Sequence, residues 1–173
     1  MIDPRPVIVT AQMDEETQAY FDALRKRHFP PAINYLNAHL TLFHNLPAQN
    51  MEDCLAAVAK ECARERPMAM RIIAPMRLGR GVAFRIECDL LRAFRQRLAS
   101  RFAAIVSRQD REAFRPHVTV QNKVAPHEAE ALFRHLSSTF HPMEGVFEGA
   151  QLWRYDGGPW APVAAIPFQK TAL

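Results

Sequence analysis

Apolar and polar side chains alternate with a period of two in several stretches of this chain, and two of these stretches share a polar signature. His39-Leu40-Thr41-Leu42 and His117-Val118-Thr119-Val120 stand 78 positions apart. In an extended strand the side chains at i and i+2 leave one face about 6 to 7 Å apart. Each copy therefore turns one imidazole and one hydroxyl to the same side, while Leu40, Leu42, Val118 and Val120 face the other way into an apolar layer. The same alternation runs through Val82, Phe84, Ile86 and Cys88, interleaved with Ala83, Arg85 and Glu87. That stretch pairs with Met68 to Met76 across a turn at Gly79-Arg80-Gly81. Pro6 to Ala11 is a β-branched run that reads as a buried first strand, and Phe147 to Tyr155 with Val163 to Phe168 forms a hairpin around Asp156-Gly157-Gly158-Pro159.

Between these strands the period changes to that of helices. Asp14 caps the first, Glu15 and Glu16 suit its first turn, and Tyr20, Phe21 and Leu24 give its apolar face before Pro30-Pro31 ends it. Asn50 caps a second helix running to about Arg66, with Met51, Leu55, Val58 and Cys62 on one stripe. Asp89 caps a third, to about Val106, with Leu91, Phe94, Leu98, Phe102 and Ile105 on one side and Arg97, Arg101 and Arg108 on another. Arg108 to Arg115 is a charged connection, and Pro126 opens a fourth helix carrying Leu132, Phe133, Leu136 and Phe140.

Laid side by side, the halves repeat one order: strand, helix, His-x-Thr strand, helix, strand pair. With 7 His and 6 Thr in 173 residues, random order predicts about 0.24 His-x-Thr triplets, so the repeat takes its weight from this matching context. The expected fold is α+β and bilobal: two antiparallel sheets related by a pseudo-twofold, helices packed outside, and a central cleft carrying both motifs. Residues 1–173 are expected to form this single domain.

Composition narrows the function classes. Hydrophobic residues make up 49% of the chain but are spread along it, and no uncharged run approaches the roughly 20 residues of a membrane span. Met1 to Thr10 has Asp3 and two prolines where a secretory signal needs a basic start and an apolar core, so a cytoplasmic protein is expected, and separately a monomer. The odd set Cys54, Cys62 and Cys88 contains no CxxC pair and reads as three packed thiols. The formal charge is only +4, yet Arg64 to Arg115 holds thirteen arginines against five acids. Such a segment serves equally as a solvated, acid-balanced surface or as a contact for phosphate or RNA.

The paired motifs supply a chemistry. Two imidazoles with ordinary pKa near 6.5 can act as general base and general acid on opposite sides of a phosphorus centre. Two threonine hydroxyls can hold the non-bridging oxygens where charge builds. That set requires no metal or other cofactor. His39-Leu-Thr-Leu and Phe114-Arg-Pro-His117-Val-Thr-Val, with the repeated βα order, resemble the 2H phosphoesterase superfamily, nearest its 2′-5′ RNA ligase or RNA 2′,3′-cyclic phosphodiesterase branch.

The resemblance covers nearly the whole chain. It implies metal-independent action on 2′,3′-cyclic or 2′-5′ phosphodiesters of an RNA 3′ end or a small cyclic nucleotide. It implies catalytic roles for His39 and His117 and phosphate binding by Thr41 and Thr119. Many members of that branch place an arginine three positions after the second threonine; here Asn122 stands there, and the adjacent Lys123 is taken as a phosphate-binding residue. Two alternatives accompany this reading: a cyclic phosphodiesterase of a small nucleotide metabolite, and a non-catalytic RNA-binding module. His44 is expected at a strand end on the opposite face, in a structural role. His127, His135 and His141 lack the company of a metal site. Trp153, Tyr155 and Phe84 could stack on a base, with core packing the simpler expectation for any one of them.

Overall fold

A computed structural model describes residues 3–169 of the chain. Its strands are β1 (Val7–Met13), β2 (Leu40–Leu46), β3 (Met68–Arg77), β4 (Val82–Glu87), β5 (His117–Gln121), β6 (Met143–Tyr155) and β7 (Trp160–Pro167). Its α-helices are α1 (Glu15–His28), α2 (Met51–Cys62), α3 (Asp89–Arg101), α4 (Arg108–Arg111) and α5 (Pro126–Thr139).

The α+β architecture and the two-half order are as the sequence implies. The two expected sheets are joined into one antiparallel sheet with strand order β2-β1-β6-β3-β4-β5, and β7 pairs with β6. The join is β6. Its first residues, from Met143 to Phe147, pair with β3, while Phe147 onward pairs with β1. Phe147 stands at the crossover, opposite both Met13 and Met68, and is fully buried. A strand of this length, shared between the halves, makes one twisted surface of two lobes. The two His-x-Thr strands, β2 and β5, lie at the opposite ends of the strand order, and the sheet curls until they touch.

The alternation seen in the sequence sorts the faces. Val7, Val9, Leu40, Leu42, Phe84, Ile86, Val118 and Val120 are fully or almost fully buried beneath the helices. Phe84 belongs to this core, edge-on to Phe21 at 5.6 Å and to Phe140 at 5.0 Å, and so is not available to a base. Cys54, Cys62 and Cys88 are buried free thiols. Burial of so much apolar surface drives the fold, at roughly 25 cal/mol per Å².

The helices exchange partners between the halves. Helix α1 precedes β2 but packs against β5. Helix α3 precedes β5 but reaches back to β2, where Phe102, just past its end, meets Phe43 at 5.2 Å. Asp14 fixes the entry angle of α1, accepting from the Thr17 amide at 2.9 Å, the Thr17 hydroxyl at 2.6 Å and the Val146 amide of β6 at 2.7 Å. Gly145 leaves room for that dock, since a Cβ there would stand 2.3 Å from Thr17 Oγ1. Burial raises the Asp14 pKa, but these hydrogen bonds outweigh it and hold the carboxyl below its usual value.

Several boundaries differ from those the sequence suggests. Cys88, not Asp89, caps α3: its Sγ accepts from the Leu91 amide at 3.4 Å, and Asp89 is the first helical residue. The helix stops at Arg101, and Phe102 to Val106 continue as turns. The Asn50 side chain makes no capping bond because a 3₁₀ turn over Ala48–Asn50 already leads into α2, which ends at Cys62. The charged connection contains the short helix α4, capped by the Ser107 hydroxyl. Among the described residues no helix is long and apolar enough to cross a membrane.

Much of the arginine-rich third is committed to structure. Glu61 on α2 is buried, and its carboxylate bonds Arg97 Nε at 2.8 Å and Arg101 Nη2 at 2.7 Å on α3. Burial raises the Glu61 pKa, but the two guanidiniums more than offset this and hold it below its usual 4.5. Glu61→Gln should lower the unfolding free energy by about 1–3 kcal/mol at pH 7. Because a depressed carboxyl stabilises above its unfolded pKa and loses that effect as pH falls, the gap between variant and wild type should close below about pH 4.5. Denaturant melts at pH 7 and pH 3.5 check this; an equal gap at both would contradict it.

Candidate active site

Bringing two edge strands together leaves polar backbone to satisfy at the seam, and two buried arginines do so. Arg25 of α1 donates from Nε to Asn34 Oδ1 at 2.9 Å and to the Leu36 carbonyl at 3.0 Å, both in the loop before β2. Its Nη1 donates to the Thr119 carbonyl of β5 at 3.2 Å. Arg95 of α3 does the converse. It donates from Nη2 to the Asp110 carbonyl, in the segment before β5, at 2.5 Å, and from Nε to the Leu42 carbonyl of β2 at 3.3 Å. Each arginine thus ties the loop before one motif strand to the other motif strand. Aromatic faces cover both cations: Phe29 lies 3.8 Å from Arg25, and Phe43 lies 4.7 Å from Arg95. Burial lowers both pKa values, that of Arg25 to about 10, and Arg25 stays charged at neutral pH.

A third tie comes from Asp110, which is 3% exposed. Its carboxylate accepts from the His44 amide at 3.0 Å, from His44 Nδ1 at 2.8 Å and from the Ser107 hydroxyl at 3.0 Å. Burial raises the Asp110 pKa, and these bonds reverse the effect, leaving it below the usual carboxylate value. His44 therefore closes the seam at the far end of β2, outside the His39 and His117 pair.

The two catalytic candidates are held alike. His39 Nδ1 lies 2.8 Å from the carbonyl of Asn37, and His117 Nδ1 lies 2.7 Å from the carbonyl of Arg115. A carbonyl can only accept, so both rings carry their proton on Nδ1 and leave Nε2 as an acceptor. Thr41 and Thr119 follow two residues on, each half-buried on the face of its histidine. The structure thus brings His39, Thr41, His117 and Thr119 to one seam. Lys123 lies past the end of β5, exposed, in a left-handed backbone conformation with φ 58°. Its amide is held by Asn122 Oδ1 at 2.8 Å, and about 20 Å of extended chain separates it from His117.

The surroundings of the two histidines differ. His39 is half-buried, with the Trp160 ring centroid at 4.6 Å. Burial drives its pKa down to about 4; the bond to Asn37 works against this, and the charges of Arg25, His44 and His117 add to it. His117 stands directly across from Arg85 of β4, whose exposed side chain leaves the same face of the sheet. Beside His39 opens a cavity of about 520 Å³, whose lining includes Trp153 and Trp160. Trp153 donates from Nε1 to Thr10 Oγ1 at 2.9 Å. Tyr155 is 43% exposed and lies outside this cavity. Among the described residues no three His, Cys, Asp or Glu side chains are grouped to hold a metal ion.

Arg25, Arg95 and Asp110 are the site-building residues that local sequence pattern misses, because their contacts span 94, 53 and 66 positions. The trace in the sequence is that Arg25 and Arg95 fall four positions after the apolar stripe residues Phe21 and Leu91.

This seam of two half-buried imidazoles and two hydroxyls, set in a curled sheet of two repeated halves, defines a two-lobed α+β protein with a shared central cleft. Residues 13–159 match the model of the 2′-5′ RNA ligase superfamily, and the chain belongs to that family. Among solved structures, TT0787 of Thermus thermophilus is similar at 16% identity and TM-score 0.67, over 96% of this chain and all of the other. Escherichia coli LigT complexed with 3′-AMP is similar at 16% identity and TM-score 0.63, over 96% of this chain and 99% of its own. A structure described as a phosphoesterase matches at 17% identity and TM-score 0.62, over 95% and 99%. No curated protein sequence matches the chain.

The lowered pKa of His39 carries a linkage prediction. Between about pH 4 and 6.5 the unfolded chain protonates this residue and the folded protein does not, so folding loses stability as pH falls through that window. Thermal melts of the wild type and His39→Gln from pH 7.5 to 4.5 should show the wild-type midpoint falling more steeply. Parallel curves would contradict an imidazole held neutral by the folded protein.

Proposed function

We propose that this protein is a metal-independent phosphoesterase that opens 2′,3′-cyclic, or cleaves 2′-5′, phosphodiesters of RNA ends or nucleotides. The observation that carries the reading is the matched pair of Nδ1 to carbonyl bonds, at 2.8 and 2.7 Å, which leaves Nε2 of each of His39 and His117 free for proton exchange. Membership of the 2′-5′ RNA ligase superfamily supports it, as does the LigT crystal structure with 3′-AMP as a guide to substrate size.

In this reading a water oxygen attacks phosphorus and gives its proton to one Nε2. The P–O bond to the 2′ or 3′ oxygen breaks, and the leaving oxygen takes a proton from the other, protonated imidazole, so the product is a ribose monophosphate. The enzyme begins each turnover with one neutral and one protonated ring. Burial favours His39 as the neutral one and hence as the base. Thr41 and Thr119 hold the non-bridging oxygens. Lys123, past the end of β5, meets a phosphate further from the reacting one in an oligonucleotide.

An oligoribonucleotide ending in a 2′,3′-cyclic phosphate, incubated in chelator, should be opened by the wild type. His39→Ala and His117→Ala should each lower kcat about 10²- to 10⁴-fold while circular dichroism stays native. Thr41→Val and Thr119→Val should each cost about 10²-fold. Substantial turnover by either histidine variant would overturn the two-imidazole mechanism.

A further inference from the structure

The cavity of about 520 Å³ lies to one side of the reacting pair: His39 lines it and His117 does not. Its volume falls within the roughly 300–1,000 Å³ of small-molecule sites. Three aromatic rings shape it. Trp160 packs on His39 at 4.6 Å, Trp153 lies 6.0 Å from Trp160 and is held by its bond to Thr10, and Tyr35 forms part of the rim. A Cβ at Gly158 would stand 3.1 Å from the Tyr35 ring, so this rim rests against the β6–β7 turn. The polar lining is uncharged or acidic. It includes Gln151 and the exposed residues Glu15 and Glu148, and it contains no lysine or arginine.

Across the seam the cations Arg85 and Arg71 share one carboxylate, Glu87, at 4.0 and 3.9 Å, and Arg85 stands beside His117 on the same sheet face. The part of a substrate that enters the His39 side must therefore be flat, apolar on its faces, free of phosphate, and bordered by hydrogen-bond donors. We propose that this cavity is a nucleobase subsite that selects bases bearing an exocyclic amino group, adenine, guanine and cytosine, over uracil. The inference rests on the phosphoesterase reading for its reacting phosphate. A carboxylate accepts from an amino group, as it does from cytosine N4 in groove recognition. Uracil offers it only the single N3–H, flanked by two carbonyl oxygens that repel the carboxylate. A base seated here sends any further phosphates over β5 and β4, towards Arg85 and away from Glu15 and Glu148.

The test uses the whole chain and two readouts. Turnover of the four nucleoside 2′,3′-cyclic monophosphates should give kcat/KM values at least about 10-fold higher for the amino-bearing bases than for uracil. In the Glu15→Gln/Glu148→Gln double variant, uracil turnover should rise until the spread falls within about threefold. Trp160→Phe should keep the order of preference, and Trp160→Ala should raise KM for all four by about 5- to 100-fold. Separately, adenosine 3′-monophosphate should quench tryptophan fluorescence at lower concentration than uridine 3′-monophosphate.

Base-selective quenching without any turnover would uphold the subsite and refute the catalytic reading. Turnover with equal efficiency for all four bases, and quenching without preference, would overturn the subsite and leave the catalytic reading standing. Neither turnover nor quenching would refute both.

Discussion

Everything at the cleft depends on two edge strands being made to meet. Nothing in a seven-stranded antiparallel sheet requires its first and last strands to touch, and an open edge is a liability. Here the long shared strand β6 sets the curl, and the buried guanidiniums of Arg25 and Arg95 hold it closed by reciprocal ties to the opposite motif strand. A buried cation is costly unless its donors are satisfied. Carbonyl and amide oxygens take them, with an aromatic face over each cation. The geometry of the imidazole pair is thus inherited from the seam, and the exchange of α1 and α3 between halves makes each lobe a condition for the other.

The seam also gives the two imidazoles unequal electrostatics. Both receive the same backbone acceptor, two residues upstream, and so the same tautomer. His39 sits among Trp160, Arg25 and the cavity wall and is held neutral, whereas His117 faces the side of the cleft that bears Arg85. A duplicated architecture thus gives two identical side chains unlike surroundings.

The local part of this design could be read from the residues. Alternation in the two His-x-Thr stretches and in β4, the helical stripes, the turn at Asp156 to Pro159 and the Asp14 cap all depend on interactions within a few positions, and each appears where its pattern places it. The family resemblance of the motifs agrees with the match over residues 13–159. Contacts between the repeats were not legible. Whether two halves make two sheets or one depends on Phe147 facing both Met13 and Met68, and no local period records that. The Arg25 and Arg95 ties, and the seat of His44 on Asp110, likewise depend on how distant segments cross. Cys88 displaced Asp89 as the cap of α3 because its thiol, one residue earlier, already reaches the Leu91 amide. The core position of Phe84 follows from its place in an alternation that the sequence does show, so its candidacy as a base platform was already the weaker reading.

The central claim is that the folded backbone fixes both imidazoles with the proton on Nδ1 and Nε2 open to the cleft. Nitrogen-15 NMR of the histidine rings at pH 8, with His39→Gln and His117→Gln used for assignment, reads this directly. The account predicts that both residues give the shifts of a protonated Nδ1 and an unprotonated Nε2. A neutral ring carrying its proton on Nε2 instead of Nδ1 would contradict it, since the Asn37 and Arg115 carbonyls can accept only from a protonated Nδ1.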